Sequence, residues 1–169
     1  MGFKKTSDTI AISFGLTESA ANTFTQSQVS LQLDILNNEI FVVLGIDLDP
    51  TAPGNVAAVN TQTQMSLSTT SQTAVQLLSN TNCLAEERIN IRQDAAGLVS
   101  PVLYRASNGS TPFGDADYIG LIATNDFFLQ IAGSNNLVAQ TGTGRVWGYR
   151  ARADASTYAA LVQSEVLSA

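Results

Sequence analysis

The chain has 169 residues, the usual size of one domain, and 44% of them are hydrophobic, enough to bury a real core. Only 13% are charged, against about 25% in an ordinary soluble domain, and 8 Lys and Arg against 14 Asp and Glu leave a net charge of −6. A single cysteine excludes an internal disulfide or a cysteine-built zinc site, and the lack of histidine removes the commonest general base and transition-metal ligand.

The start, Met1-Gly2-Phe3-Lys4-Lys5, runs into Thr6, Ser7 and Asp8. It lacks the apolar stretch of a secretory signal, so export is not expected, and residues 1–9 read as a flexible arm ahead of a domain over 10–169. Ile10, Ile12, Phe14 and Leu16 alternate with small or polar residues, and so do Val29, Leu31, Leu33 and Ile35. This period of two predicts half-buried strands. Asn37-Asn38 then suggests a hairpin, since Asn tolerates positive φ. Its second arm opens on the unbroken apolar run Ile40 to Leu44, expected to be buried on both faces, and ends at Asp49 before Pro50 and Pro53. The apolar run Ile40 to Ile46 is far shorter than the roughly 20 residues of a membrane-spanning helix.

Gln64 to Ser68 and Ile89 to Arg92 alternate again, while Thr73 to Glu87 is ambiguous: Thr73 could cap a short helix through Leu77 and Leu78, ended by Asn80-Thr81-Asn82. Phe127, Leu129 and Ile131 share a strand face. Gly133 to Asn136 is read as a turn, and Leu137 to Thr141 as the returning arm of a second hairpin. Gly142-x-Gly144 reads as a turn, being too short for a phosphate loop, and Arg145 to Arg152 as a strand with Trp147 and Tyr149 on one side. From Asp154 the spacing becomes helical, with Tyr158, Leu161, Val162 and Val166 on one face and Asp154 or Ser156 as N-cap, which predicts a helix over 154–167. Thr25 to Leu31 and Thr61 to Leu67 share five of seven residues, read as two strands in equivalent environments rather than a repeat unit. The sum is a mainly β chain, an antiparallel sandwich or barrel with one short C-terminal helix.

Lysine could replace histidine as a base, but Lys4 and Lys5 fall in the expected arm, so catalysis is not expected. Asp47-x-Asp49 and Asp115-x-Asp117 each place two carboxylates on one side of an extended segment, a spacing that suits calcium, though neither has the glycine and distal Glu of a calcium loop. Solvent-facing carboxylates are the plainer reading. Arg145, Arg150 and Arg152 are the nearest approach to a basic cluster, too few in a negative domain for nucleic-acid binding. Asn108-Gly109-Ser110 fits a glycosylation acceptor but reads as a loop leading to Pro112. Cys83 reads as a small buried apolar residue, and Trp147 and Tyr149 as core or subunit-contact residues.

Ser, Thr, Asn and Gln supply the polar third of the chain. Neutral polar groups cost less to desolvate than ions and can hydrogen-bond across a seam, so this composition fits a protein that buries much of itself against copies. The strand-rich body from Ile10 to Arg152, the two Asn-containing turns, the Ile46-Asp47-Leu48-Asp49-Pro50 strand exit and the terminal helix together resemble the single jelly-roll coat proteins of icosahedral viruses and phages. The resemblance implies eight strands in two facing sheets, a virion location after assembly in the host cytoplasm, and copies of the chain and other virion proteins as partners. The long basic arm of many genome-packaging coats is missing, so no direct contact with nucleic acid is implied. The expected contact residues are Lys4, Lys5, Pro50, Pro53, Asn55, Asn108 and Phe113, with Tyr158, Leu161 and Val162 on the helix unless that face packs on its own sheet. The alternative is a β-sandwich module that binds a receptor or carbohydrate, as a decoration or fibre protein, through Tyr104, Tyr118, Trp147 or Tyr149.

Overall fold

The computed structural model describes residues 2–107 and 116–169. The strands are β1 (Phe3–Lys5), β2 (Ile10–Thr17), β3 (Thr25–Ser30), β4 (Glu39–Pro50), β5 (Thr61–Ser68), β6 (Cys83–Arg92), β7 (Val102–Ser107), β8 (Gly120–Ile122), β9 (Asp126–Ser134) and β10 (Thr141–Ala153), followed by helix α1 (Ala155–Leu167). They form two antiparallel sheets of five strands. In sheet A, β10 lies between β4 and the pair β1 and β2, with β8 beyond β4; sheet B runs β3, β9, β5, β6, β7. With the short β1 and the lateral β7 set aside, the remaining strands run first, eighth, third, sixth in one sheet and second, seventh, fourth, fifth in the other, the jelly-roll winding. No helix among the described residues is long and apolar enough to cross a membrane.

Alternation drives the packing. Leu16, Phe41, Val43, Ile46, Leu48, Met65, Leu67, Phe127, Leu129, Ile131 and Val146 meet between the sheets in the main core. Leu44 is the extra residue of a bulge in β4, where the partner of Trp147 is Gly45 and that of Gly148 is Val43. The unbroken apolar run is explained by a second core: Ile40 and Val42 face away from sheet B and meet Ala151, Ala153, Tyr158, Leu161 and Val162 beneath α1. Asp154 caps α1 by accepting a hydrogen bond from the Thr157 backbone.

Several expectations give way. Phe3–Lys5, expected in a flexible arm, pairs with Ala151 to Ala153 of β10, and Phe3 meets the Tyr118 ring edge-on at 5.9 Å. The strand read over Val29 to Ile35 stops at Ser30: Gln32 has φ 51°, and the backbone N–H groups of Leu31 and Leu33 turn to Asn125. Neither Asn-containing turn makes a hairpin, because β3 and β4 lie in opposite sheets, as do β9 and β10. Asn38 and Asn135 do take positive φ, at 54° and 57°, but they steer the chain from one layer to the other. Pro50 does not stop β4; it remains in register with Gly142.

Gly142 and Gly144 sit inside β10 rather than in a turn. A Cβ at Gly142 would strike Met65 of the facing sheet, and one at Gly144 the Asp47 carbonyl and the Phe14 ring, so close approach explains these glycines. The same holds at Gly148, where a Cβ would meet the Val42 carbonyl and the Phe41 ring. Gly148→Ala is expected to destabilise the fold by about 2 kcal/mol or more through overpacking, read as a lower urea midpoint with an unchanged m-value.

The Thr73 to Leu78 region is not helical. Residues 69–82 instead lie over the outer face of sheet B, on a polar network. Gln130, Ser66 and Ser68 are all buried; Gln130 accepts from Ser66 at 2.8 Å and donates to Ser68 at 2.7 Å, while the Gln76 N–H donates to Ser66 Oγ at 3.0 Å. Part of the neutral polar composition is thus consumed inside the subunit, with Gln130, Ser66 and Ser68 hydrogen-bonded as burial requires, while the buried Thr63 and Thr69 hydroxyls have no partner among the described residues. The two similar segments lie in β3 and β5, which flank β9 on either side.

Candidate interaction surface

Sheet B overhangs sheet A along one side of the sandwich. The β8 strand pairs only with Phe41 to Val43, so among the described residues no strand lies beyond Gly45 to Pro50 of β4, while β6 and β7 continue past it. Among the described residues β7 is the edge strand, and Val102 to Arg105 are exposed on both of its faces. Leu103 and Arg105 stand opposite Ile91 and Ile89, on the face toward the sandwich; Val102 and Tyr104 stand opposite Arg92 and Asn90, on the outside. Val102, Leu103 and Tyr104 are 62%, 58% and 56% exposed, and the preceding loop adds Leu98 at 85% and Val99 at 64%. An exposed apolar edge strand offers unpaired backbone groups and apolar side chains together, a combination that natural sheets ordinarily blunt with charge or proline. Arg105 is the one cation on β7, and it is engaged: it pairs with the buried Glu87 and reaches Asp49 at 3.6 Å. Burial pushes the Glu87 carboxyl up, and the Arg105 hydrogen bond pulls it back.

The loops at one end of the sandwich, 18–24, 51–60, 93–101 and 135–140, are tied by amides. Asn136 accepts from the Gly54 N–H at 3.0 Å and donates to the Gln62 carbonyl at 2.8 Å, and its backbone exchanges two bonds with the Asn22 side chain. The buried Glu18 carboxylate receives the backbone N–H of Gly133 at 2.6 Å and of Gln140 at 2.7 Å. On this scaffold Leu137 and Val138 project into solvent. Of the expected contact residues here, Pro50, which continues β4, and Pro53 are buried, whereas Asn55 is exposed and bonded to Gln93. Asn108, Phe113 and Asp115 lie outside the described residues, as does the Asn108-Gly109-Ser110 acceptor pattern.

At the opposite end Lys4 and Lys5 are exposed, but as part of a strand. Lys4 stands opposite Arg152, and the Lys5 ammonium lies 4.7 Å over the Tyr149 ring. The guanidinium groups of Arg150 and Arg152 serve the β3–β4 connection: Arg150 donates to the Leu31 and Gln32 carbonyls and pairs with Glu39, and Arg152 binds Asn37. Tyr158, Leu161 and Val162 pack on sheet A. They hold the helix to its own sheet. Val166, expected on that face, points outward, and Glu165 takes the inward position. Its carboxylate accepts the Ala123 N–H at 2.7 Å and the Thr124 N–H at 3.2 Å. Burial raises the Glu165 pKa, and these backbone bonds oppose the rise.

Asp47 and Asp49 lie on the outer face of β4, and Asp117 is exposed in the segment before β8. Among the described residues no three His, Cys, Asp or Glu side chains gather as metal ligands. Cys83 is buried, its Sγ directed at the Ala85 carbonyl. Burial, with the nearby Glu86 charge, pushes its thiol up to about 11, so it stays protonated at neutral pH. Ellman's reagent is expected to leave the native chain unlabelled and to titrate one thiol after unfolding; rapid labelling of the native chain would contradict this burial.

The sequence reading did not assign Leu98 to Tyr104 to any element. The signal lay in two short apolar runs, Leu98-Val99 and Val102-Leu103-Tyr104, separated by Ser100-Pro101 and without alternation. Pro101 is compatible with a strand start or an edge, and the sheet order shows that Val102–Ser107 is the edge.

No protein-family model matches the chain, and no curated protein matches it. Among solved structures, one of Desmodium yellow mottle tymovirus is similar over 88% of this chain and 91% of that chain, at 12% sequence identity and a TM-score of 0.31.

Proposed function

We propose that this chain is a self-associating structural subunit, a shell-building coat protein of an icosahedral virus or phage, without catalytic activity. The observation that carries the reading is the exposed apolar edge formed by Leu98, Val99 and β7, beyond which no strand lies among the described residues. Burying it against a second copy would remove about five large apolar side chains from water and give the β7 backbone a partner. The loop-end residues Leu137 and Val138 supply further contacts, and the low charge of the chain lets broad surfaces meet without stranding unpaired ions. Weak identical contacts repeated by symmetry then add up to a closed shell.

Partners in this reading are copies of the chain and other virion proteins, and its place is the virion, after assembly in the host cytoplasm. A net charge of −6, with Arg150 and Arg152 engaged by loop carbonyls, favours a genome held by another component. Sedimentation velocity over a micromolar concentration series tests the reading. The expected result is a species far larger than 17.8 kDa whose share grows with concentration; a single monomer boundary across salt and pH would overturn it.

A further inference from the structure

The part of sheet A's outer face not covered by α1 carries an ordered set of side chains from three adjacent strands. Trp147 of β10 stands between Ala11 of β2 and Gly45 of β4; Arg145 stands between Ser13 and Asp47; Thr143 stands between Gly15 and Asp49. The indole thus has only small neighbours on both flanks and stays 36% exposed. Arg145 is held in place: its Nε donates to Ser13 Oγ at 3.1 Å and its guanidinium lies 5.9 Å from the indole centre. Among the described residues no hydrogen bond or ion pair occupies the Asp47 carboxylate, and Asp49 meets Arg105 at 3.6 Å. Together these groups line a shallow depression of about 510 Å³.

We propose that this patch binds a neutral oligosaccharide, one sugar ring stacked on Trp147 and its hydroxyls bonded to Asp47, Asp49, Thr143 and Arg145. The C–H face of a pyranose presents weakly positive hydrogens to the negative face of an aromatic ring. Its hydroxyls both donate and accept, so they match a patch that sets acceptor carboxylates beside a donor guanidinium. Two carboxylates beside the indole disfavour a nucleic acid, whose phosphates they would repel. The Arg145 guanidinium, 5.9 Å from the indole centre, repels the second cation that a basic peptide would bring to the ring. The other aromatic residues do not join this site: Tyr118 packs on Phe3, Tyr149 lies under Lys5, and Tyr104 stands on the β7 edge. The inference is independent of the shell reading, since a shell subunit without sugar affinity and a sugar-binding monomer are both physically possible.

Trp147 is the sole tryptophan, so its emission reports on the site directly. The full chain is titrated with neutral oligomers of glucose, galactose, mannose, xylose and N-acetylglucosamine, and in parallel with an oligoarginine peptide and a single-stranded oligonucleotide. The expected result is a saturable emission change with at least one neutral oligosaccharide at millimolar concentration or below. Asp47→Asn and Ala11→Leu, both on the exposed face, are each expected to weaken that binding about tenfold with an unchanged melting temperature. Saturation by no oligosaccharide, saturation by the peptide or oligonucleotide alone, or binding indifferent to both substitutions would overturn the proposal.

Discussion

Replacing Val102 and Tyr104 with lysine is expected to abolish self-association while leaving the subunit folded. Both side chains point outward from an edge strand and are more than half exposed, so the isolated chain loses little apolar burial when they change. In an assembly the same positions would be desolvated. Two ammonium groups without partners then oppose closure, and lysine is the residue that natural edge strands use against pairing. At about 1 to 2 kcal/mol per position the pair shifts the association constant by roughly a hundredfold or more. Sedimentation equilibrium reads the association, and thermal unfolding followed by circular dichroism checks the fold. Unchanged association would remove β7 from the interface; a large drop in melting temperature would mean that the edge is a structural part of the subunit.

Glu165→Ala is expected to free α1 from the sandwich. The backbone N–H groups of Ala123 and Thr124 lose their shared acceptor, at a cost of about 2 to 4 kcal/mol together, and the helix loses its hold over Ile40, Val42 and Ala151. Glu165→Gln keeps one acceptor oxygen and removes the buried charge, so it isolates the ionic part. Because burial raises the folded pKa above the unfolded value, the native state holds the proton more tightly. The contribution of Glu165 is therefore fully present below the unfolded carboxylate range and is lost as pH rises through its folded pKa. Relative to the native chain, Glu165→Gln should gain stability between about pH 4 and about pH 7. Urea unfolding at the two values measures this; a difference that is flat, or that favours the native chain at the higher pH, would contradict the account of this residue.

Hydrophobic periodicity carried much of the architecture. The alternation at Ile10 to Leu16 and at Gln64 to Ser68 names strands and the faces they bury, and the unbroken Ile40 to Leu44 run correctly implies cover on both sides. Periodicity does not name a strand's partner. Asn37-Asn38 and Ser134 to Asn136 therefore read as hairpins when they lead between sheets, since positive φ at Asn serves either route. Gly142 and Gly144 read as turn residues because the collision they avoid lies with Met65 and Phe14, far away in sequence. The α1 face was misread by one residue: Val166 fits an apolar stripe, but the free N–H groups of Ala123 and Thr124 demand an acceptor, which Glu165 provides. For the interaction surface the composition pointed to contact between copies without locating it. Lys4, Lys5 and Asn55 are exposed as expected, whereas Pro50, Pro53, Tyr158, Leu161 and Val162 are committed to the subunit's own packing. The β7 edge became visible only once the strand order placed it outermost.

Negative-stain electron microscopy of the purified full-length chain tests self-assembly most directly. The account predicts closed particles of uniform diameter that disappear when Val102 and Tyr104 are both replaced by lysine. A field of separate small molecules at every concentration, or irregular aggregates indifferent to that substitution, would contradict it.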